Sequence, residues 1–270
     1  RKEQKEMSFI KSNYIFFVWG VTYLAILLAI CHEEPAAFWL LMVLELISLI
    51  VAFSPVGEWL LRKTSGAKKI KTSRDKEYLL PLFESVYEDA KSQKPKISKN
   101  VNIFIEESKE PNAFAIGSNT VAVTRGAIDT FSEEELKGVI AHELGHLYNG
   151  DTKAALVMTV GNGVLSLLIL SVKLILRLFD RDTLLLIMVI NALVGVIIQV
   201  VLSIGQRKNE YMADRFAFEI GYGAELIEGL YLLRDMQASD RRRLIDRLRA
   251  SHPDLDNRIA RLEQMQMITA

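Results

Sequence analysis

Four long apolar segments constrain this chain more than any other feature of its sequence. They cover residues 14–31, 36–53, 154–178 and 184–205. Each contains about the 20 residues that cross the hydrocarbon core of a bilayer. A soluble protein of 270 residues would have to bury all four segments on every side. We therefore interpret them as transmembrane helices, and the sequence predicts a multi-pass membrane protein.

The basic residues predict how these spans are oriented. Lys and Arg precede the first span, are absent from the HEEP loop between the first two, and are dense between Arg62 and Arg74. Loops rich in Lys and Arg stay in the cytoplasm. We therefore expect both termini and the long polar segments to be cytoplasmic, in a cell membrane (the inner or plasma membrane), with the lipid bilayer as a partner.

The polar segments predict a division of the chain into four parts. Residues 1–53 form an N-terminal region with two spans, 54–153 the first part of a cytoplasmic domain, 154–205 a transmembrane hairpin, and 206–270 the second part of that domain. Both polar parts lie on the same side of the membrane and can build one domain. Lys plus Arg and Asp plus Glu balance at 33 each, which argues against nucleic acid as a partner.

Local patterns predict an α+β fold for the polar parts, with helices and a small β-sheet. KEYLLPLFESVYEDAKS indicates a helix broken near Pro81, and VNIFIEES, PNAFAIG and TVAVTRGAI indicate three strands. Ser132 and Glu135 have the spacing of a capping box, which predicts a helix that starts there and ends at Gly150. Helices are also expected around RKNEYMADRFAFEIG, from Ala224 to Gln237, and from about Leu255.

The sequence HELGH lies within the helix that begins near Ser132. His142 and His146 are four residues apart and therefore project from one helix face. Two imidazoles in this position can bind one metal ion, and Glu143 can reach a water molecule held by that metal. The pattern is the H-E-x-x-H zinc motif, in which the glutamate serves as general base.

A catalytic zinc needs a third protein ligand. No histidine follows HELGH at the distance used by metzincins, so we expect a carboxylate from another helix. Spacing favours Glu210, with Glu219 as a rival. Asp214 follows Glu210 by four residues and can accept a hydrogen bond from a ligand imidazole, although a solvated helix charge is the alternative.

These residues resemble the HtpX-like membrane metallopeptidases, which are related to the CAAX prenyl proteases and the mitochondrial Oma-type proteases. The resemblance covers nearly the whole chain and includes PNAFAIG, HELGH with Asn149 and Asp151 after it, NEYMAD and SHPDLDNRI. It implies a gluzincin-type domain with one Zn²⁺ per chain, held by His142, His146 and Glu210. It also implies that Glu143 is the catalytic base and that Asp214 supports the site.

Further roles are implied by the same resemblance. The strand around Asn112, Ala113 and Phe114 resembles the edge to which the family binds its peptide substrate. His252 matches a histidine that stabilises the oxyanion, although a histidine flanking a helix before Pro253 is the alternative. Arg258 could line the site, but an arginine on a terminal helix is more often solvated or salt-bridged.

The predicted function is a zinc-dependent endopeptidase that cleaves misfolded or damaged membrane proteins for quality control, with water activated by Glu143 as nucleophile. The sequence leaves the substrate and the oligomeric state open. Alternatives are a non-catalytic zinc-binding membrane scaffold, a CAAX-type processing protease and a metal transporter. Glu45 lies within the second span, where an ionisable residue indicates either a functional group or a protonated or paired carboxyl.

Overall fold

The structure is a computed structural model that describes residues 35–156, 208–239 and 255–269, with single positions at 160, 189 and 193. Contacts between Cα atoms divide the chain into two compact units. The first unit comprises Arg1–Leu60 and Ala154–Ile204, and the second comprises Leu61–Lys153 and Gly205–Ala270.

The described part of the first unit begins with helix α1, Pro35–Phe53, which coincides with the second predicted span. Helix α2, Pro55–Thr64, follows it after one residue and runs into the second unit. Large apolar side chains are exposed along one face of α1, namely Trp39, Val43, Leu46, Ile47, Ile50 and Phe53. This face has no polar side chain to interact with water and is suited to an apolar surrounding.

Within the described ranges, no helix taken alone has the length and apolar composition needed to cross a bilayer. Met42–Phe53 and Pro55–Thr64, bent by 74° at their junction, meet that test as a pair, by length and composition only. The other three predicted spans lie outside the described residues, apart from 154–156 and the single positions, and stay predictions.

The second unit contains a four-stranded sheet whose strands lie in the order β1-β2-β4-β3. The strands are β1 Lys68–Lys69, β2 Asn102–Glu106, β3 Ala113–Ile116 and β4 Thr120–Thr124. Strands β2 and β4 are parallel, whereas β1 and β3 join antiparallel at the two edges. The sheet of three predicted strands is confirmed, and β1 is an additional strand.

The third predicted strand is shorter than expected, because TVAVTRGAI divides between a strand and a helix. Thr124 ends β4, and its hydroxyl accepts a hydrogen bond from the amide of Ala127 at 3.0 Å. That hydroxyl caps the short helix α4, Arg125–Thr130. The strand therefore ends at Thr124, and the rest of the segment forms this helix.

Helices cover one face of the sheet and enclose a single core with it. They are α3 Ser73–Gln93, α5 Glu133–Asn149, α7 at residues 208–219, α8 Gly223–Ser239 and α9 Leu255–Thr269. The short helix α6, Asp151–Leu156, follows α5 after Gly150. Apolar side chains of β2 and β4 face this core together with those of α3, α5, α8 and α9. Phe104, Ala122 and Phe114 lie on the other face of the sheet with Ala67.

The predicted break at Pro81 is wrong, because α3 continues through this proline. Pro81 lies on the exposed side of the helix, where water can satisfy the carbonyl that loses its partner. Leu79 precedes Pro81 and Leu82 and Phe83 follow it, and all three are buried in the core. Burial on both sides of the proline therefore stabilises one continuous helix.

The helix predicted from Ser132 is confirmed as α5, and both of its ends have the expected caps. Ser132 and Glu135 form a reciprocal capping box, with the Ser132 amide donating to the Glu135 carboxylate at 2.7 Å. At the other end, Gly150 has a left-handed φ of 78°, and its amide donates to the carbonyl of His146 at 3.0 Å. Local sequence signals therefore fix the helix that carries HELGH.

Candidate metal centre

Close packing between α5 and α7 brings the residues of the site together. A Cβ atom added to Gly145 would lie 2.8 Å from the Cα atom of Ala213 and 2.9 Å from its carbonyl oxygen. Only glycine therefore allows the two backbones to approach this closely. Glu210 lies one helical turn before Ala213, so this approach places its carboxylate over the face of α5 that bears the histidines.

Three possible ligand atoms converge at this contact. The Nε2 atoms of His142 and His146 are 3.1 Å apart, and the Glu210 carboxylate oxygens lie 3.4 Å and 3.5 Å from them. With bonds of about 2.0–2.1 Å, two ligands of a tetrahedral zinc ion are about 3.3 Å apart. Both the donor types and their spacing therefore fit a zinc ion, and these residues are the candidate metal ligands.

Each histidine is held by a carboxylate on the other side of its ring. Asp214 Oδ1 lies 2.9 Å from His142 Nδ1, and Asp151 Oδ2 lies 2.8 Å from His146 Nδ1. A carboxylate on Nδ1 places the ring proton there and leaves Nε2 free to bind a metal. The two Nε2 atoms are those that converge with Glu210.

Asp151 was not among the site residues predicted from the sequence. It follows Gly150, whose left-handed conformation turns the chain at the end of α5. The turn brings the Asp151 side chain back to His146, five residues earlier. An aspartate directly after the capping glycine of a zinc helix is the signal that could have identified it.

Arg258 on α9 joins the carboxylates and is only 2% exposed. Its Nε and Nη2 atoms donate to the two oxygens of Asp214 at 2.8 Å and 2.6 Å, and its Nη1 atom lies 2.7 Å from Glu210 Oε2. The contact with Asp214 is bidentate, and such paired charge-assisted hydrogen bonds are among the strongest between an arginine and a carboxylate. Of the two common roles expected for an arginine on a terminal helix, Arg258 therefore has the salt-bridged one and not the solvated one, and it lines the site.

The surrounding charges determine the pKa values of the site in the metal-free protein. Burial would raise the pKa of Asp214, but the charge of Arg258 and the contact with His142 hold it below its usual range. Burial lowers the pKa of His146, but Asp151 and Glu210 raise it well above 6.5. The carboxylates therefore make the histidine pair a strong site for cations, either protons or a metal ion.

Glu143 is 2% exposed and follows His142 directly on α5. Its charge contributes to the raised pKa values of His146 and Arg258, so it lies within electrostatic range of both. Glu143 does not belong to the converging ligand atoms. It is a buried carboxylate beside the candidate metal site and available for proton transfer.

Glu219 is not part of this site, which corrects its rival assignment as the third ligand. Its carboxylate bonds Lys94 at 2.5 Å and Arg215 at 2.7 Å near the end of α7. Glu219 follows Glu210 by nine residues, two and a half helical turns, and therefore projects from a different face of α7. His252 lies outside the described residues, so its expected role stays a prediction.

The predicted substrate strand is β3, an edge of the sheet in the described part of the chain. The amide of Asn112 donates to the Thr124 hydroxyl at 2.9 Å, and its carbonyl accepts from the Thr124 amide at 2.9 Å. The antiparallel pattern then turns the backbone groups of Ala113 and Ala115 outwards. The side chain of Phe114 packs on the face of the sheet opposite the main core.

The sequence model of peptidase family M48 matches residues 73–266. A protease HtpX homolog of Neisseria meningitidis is 29% identical over 238 residues, which cover 78% of this chain and 81% of the relative. Protease HtpX of Shewanella oneidensis is 26% identical over 242 residues, or 77% of this chain and 81% of that protein.

A solved structure, that of Ste24p from S. mikatae, is similar in fold. It shares 19% sequence identity with this chain at a TM-score of 0.50. The match covers 96% of this chain but 65% of Ste24p, so the chain spans less than two thirds of that protein's length. At this identity the likeness shows the fold alone.

Proposed function

The chain belongs to peptidase family M48 and is a metalloprotease that acts on polypeptides, and from this premise we propose that it is a membrane-bound zinc endopeptidase. In this proposal, His142, His146 and Glu210 hold the zinc ion and Glu143 is the general base. Asp214 and Asp151 orient the two histidines. The observation that supports it most directly is the convergence of the two Nε2 atoms with the Glu210 carboxylate, whose two oxygens lie 3.4 Å and 3.5 Å from them.

The proposed chemistry divides between the metal and the protein. A zinc ion in this site would polarise the scissile carbonyl and make the attacking water more acidic. Glu143 accepts the proton of that water and then donates it to the leaving nitrogen. His252 is proposed to stabilise the oxyanion, as the family resemblance implies. Arg258 is a permanent cation in contact with both Glu210 and Asp214, and its charge helps to hold the pKa of the Asp214 carboxyl below its usual range.

The substrate is proposed to bind as an extra strand along β3, through the backbone groups of Ala113 and Ala115. The Asn112 side chain already accepts a hydrogen bond from the Ala113 amide at 3.0 Å. A substrate strand that pairs with this amide must therefore displace or share that hydrogen bond. A substrate that pairs with a sheet edge must be extended over several residues. Unfolded segments satisfy this condition, which supports misfolded or damaged membrane proteins as substrates.

The membrane location rests on the four apolar segments and on the exposed apolar face of α1. We propose a multi-pass protein of the cell membrane, with both termini and the catalytic domain in the cytoplasm. The proposed domain consists of residues 54–153 and 206–270, with the hairpin at 154–205 inserted between them. Membrane proteins would then be the substrates nearest to the site.

Replacement of Glu143 by Gln tests the proposed mechanism. The zinc-loaded variant should cleave unfolded casein at least about 100-fold more slowly than the parent, because the amide cannot accept the proton. Zinc content should stay at one ion per chain, since Glu143 is not a ligand. Glu134→Gln is the matched control on the exposed side of α5 and should keep full activity. Equal cleavage by the Glu143→Gln variant would exclude this mechanism.

A further inference from the structure

Residues 62–74 form the most basic stretch near the apolar helices. Six of these thirteen residues are basic, and no acidic residue lies between Glu58 and Asp75. The whole chain, by contrast, has equal numbers of acidic and basic residues. Four exposed members, Lys68, Lys69, Lys71 and Arg74, lie along β1 and the start of α3, and we call them the basic edge.

Hydrogen bonds hold the backbone of the basic edge in place before it and within it. Before it, the Arg62 guanidinium stacks 5.1 Å from the Phe104 ring centroid and donates to the Thr120 hydroxyl at 3.0 Å. Between Lys71 and Arg74, the Thr72 hydroxyl caps α3 by accepting from the Asp75 amide at 3.1 Å. Lys68 and Lys69 are therefore presented on a fixed outer strand of the sheet, and Lys71 and Arg74 at the capped start of α3 that follows it.

The acidic residues of the neighbouring elements leave the edge positive. Asp75 is bonded by Arg125 at 2.7 Å and 3.0 Å, and Glu107 is bonded by the same guanidinium at 3.3 Å. Glu106 on β2 is half-buried beside Gly66. Asp75 and Glu107 thus share the Arg125 guanidinium as their ion-pair partner, and among the described residues their ion pairs are with Arg125 and not with the lysines of the basic edge.

The basic edge follows the helix pair that meets the length and composition of a membrane span. Trp59 and Val56 on α2 are exposed by 49% and 53%, and Trp59 precedes Arg62 by three residues. An apolar helix, an interfacial tryptophan and then a basic cluster form the usual order at a membrane surface facing anionic lipids. No aromatic residue lies between Lys63 and Arg74 to stack on bases, which disfavours a nucleic acid.

We infer that the basic edge binds the anionic headgroups of phospholipids at the membrane surface next to α2. Because β1 is the outer strand, an edge-on approach allows Lys68 and Lys69 to reach headgroups from both faces of the sheet. Their flexible stems allow each ammonium group to reach a separate phosphate. The inference rests on the proposed membrane location but not on the proposed catalytic mechanism.

The test measures binding of individual lipids to the full-length chain in neutral detergent by native mass spectrometry. Phosphatidylglycerol should bind the parent roughly tenfold more tightly than phosphatidylcholine, as expected for several lysines near one anionic surface. The triple variant Lys68→Gln, Lys69→Gln, Lys71→Gln should lose this preference. The control triple Lys96→Gln, Lys99→Gln, Lys109→Gln, which removes the same charge from exposed positions elsewhere, should retain it.

Further variants distinguish a loss of charge from a loss of folding. Two soluble probes distinguish lipid headgroups from a free phosphate and from a nucleic acid. The variant Lys68→Arg, Lys69→Arg, Lys71→Arg should keep the preference, and all variants should cleave casein like the parent. Glycerol phosphate and a single-stranded oligonucleotide should bind weakly. Equal losses in both glutamine triples, an absent preference in the parent, or tighter binding of either soluble probe would overturn the inference. A parent that stays in solution without detergent would contradict the membrane location itself.

Discussion

Glu210 on α7 and Glu45 on α1 are both buried glutamates, exposed by 5% and 8%, but their surroundings differ. Glu210 contacts the guanidinium of Arg258 and lies within 3.5 Å of two imidazoles. Glu45 contacts only the Ser48 hydroxyl, at 3.4 Å, and its Oε1 atom has no hydrogen-bond partner among the described residues. Burial by itself therefore does not identify a site.

The difference lies in the charges that surround each carboxylate. A buried carboxylate remains ionised only when cations or several donors compensate for its lost hydration. Glu210 has a permanent cation on one side and candidate metal ligands on the other. Glu45 has one hydroxyl and no cation as a partner among the described residues. The comparison predicts that substitutions around Glu210 strongly change stability or zinc binding. Replacement of the Glu45 carboxyl by an amide should change stability and activity little.

Replacement of Arg258 by Met should give the largest loss of stability. It leaves Asp214 and Glu210 buried without their cation, and breaking such a pair costs about 3–5 kcal/mol. Thermal unfolding of the zinc-free protein measures this loss. Arg261→Met, which removes an exposed arginine from the same helix, is the control and should cost less than about 1 kcal/mol. Similar unfolding temperatures for the two variants would show that Arg258 does not balance the site.

Replacement of Gly145 by Ala should separate the third ligand from the histidines. The new methyl group would lie 2.8 Å from the Ala213 backbone, so α7 must move. We expect the free energy of unfolding to fall by about 1–3 kcal/mol. Zinc binding, measured by competition with a chelating dye, should weaken by roughly tenfold or more. Gly229→Ala is the control, because its methyl group would meet its nearest atom at 3.6 Å. If both variants bind zinc equally, close packing at Gly145 does not position Glu210.

The zinc-free protein should become less stable as the pH rises above about 6.5. The pKa of His146 is raised well above 6.5 in the folded protein, mainly because Asp151 and Glu210 outweigh the effect of burial. The protonated imidazole therefore stabilises the fold below its unfolded pKa, and this contribution is lost as the pH rises through the folded pKa. Zinc-loaded protein should show the opposite trend, since protons compete with the metal for the histidines.

Asp151→Asn assigns this pH dependence to His146. The asparagine keeps the shape but removes the charge next to Nδ1, so the decline in unfolding temperature between pH 6 and pH 8.5 should become smaller. Zinc affinity should also fall by about 10- to 100-fold. Asp129→Asn, on the short helix α4, is the control and should change neither quantity. An unchanged pH dependence in the Asp151→Asn variant would contradict the assignment.

The sequence predicted those parts of the site that depend on local signals. The capping box at Ser132 and the left-handed Gly150 lie within a few residues of the helix ends that they define, and both were identified correctly. HELGH fixed the spacing of the two histidines on one helix face. In contrast, spacing alone left Glu210 and Glu219 open, because the choice depends on how α7 packs against Gly145.

Other features could not be predicted because they depend on residues far apart in the sequence. Arg258 is 44 residues from Asp214 and has no local pattern that marks it as buried. The two lysines of β1 have low strand propensity, and their strand forms because β2 offers a free edge. The predicted break at Pro81 is wrong for a related reason. Burial of the apolar residues on both sides of the proline outweighs the local preference of proline to end a helix.

The smallest effect is expected for Glu45→Gln. The amide has the shape of a protonated carboxyl and can still accept a hydrogen bond from Ser48, whose hydroxyl also donates to the Glu45 backbone carbonyl at 2.8 Å. We therefore expect a change in stability below about 1 kcal/mol and casein cleavage within about twofold of the parent. Glu210→Gln in the same preparation should abolish zinc binding, because the neutral amide cannot replace the carboxylate ligand.

Ser48→Ala is the companion control at Glu45, since it removes the hydroxyl but leaves the carboxyl unchanged. It should destabilise the protein by roughly 1 kcal/mol, because Glu45 would then lose its contact with this hydroxyl. Unfolding temperature and casein cleavage are measured for both variants in one detergent. A loss of activity above tenfold in Glu45→Gln, with normal zinc content and stability, would mean that the Glu45 charge is used. Glu45 would then resemble Glu210, and the number of compensating partners would no longer separate a functional carboxylate from a structural one.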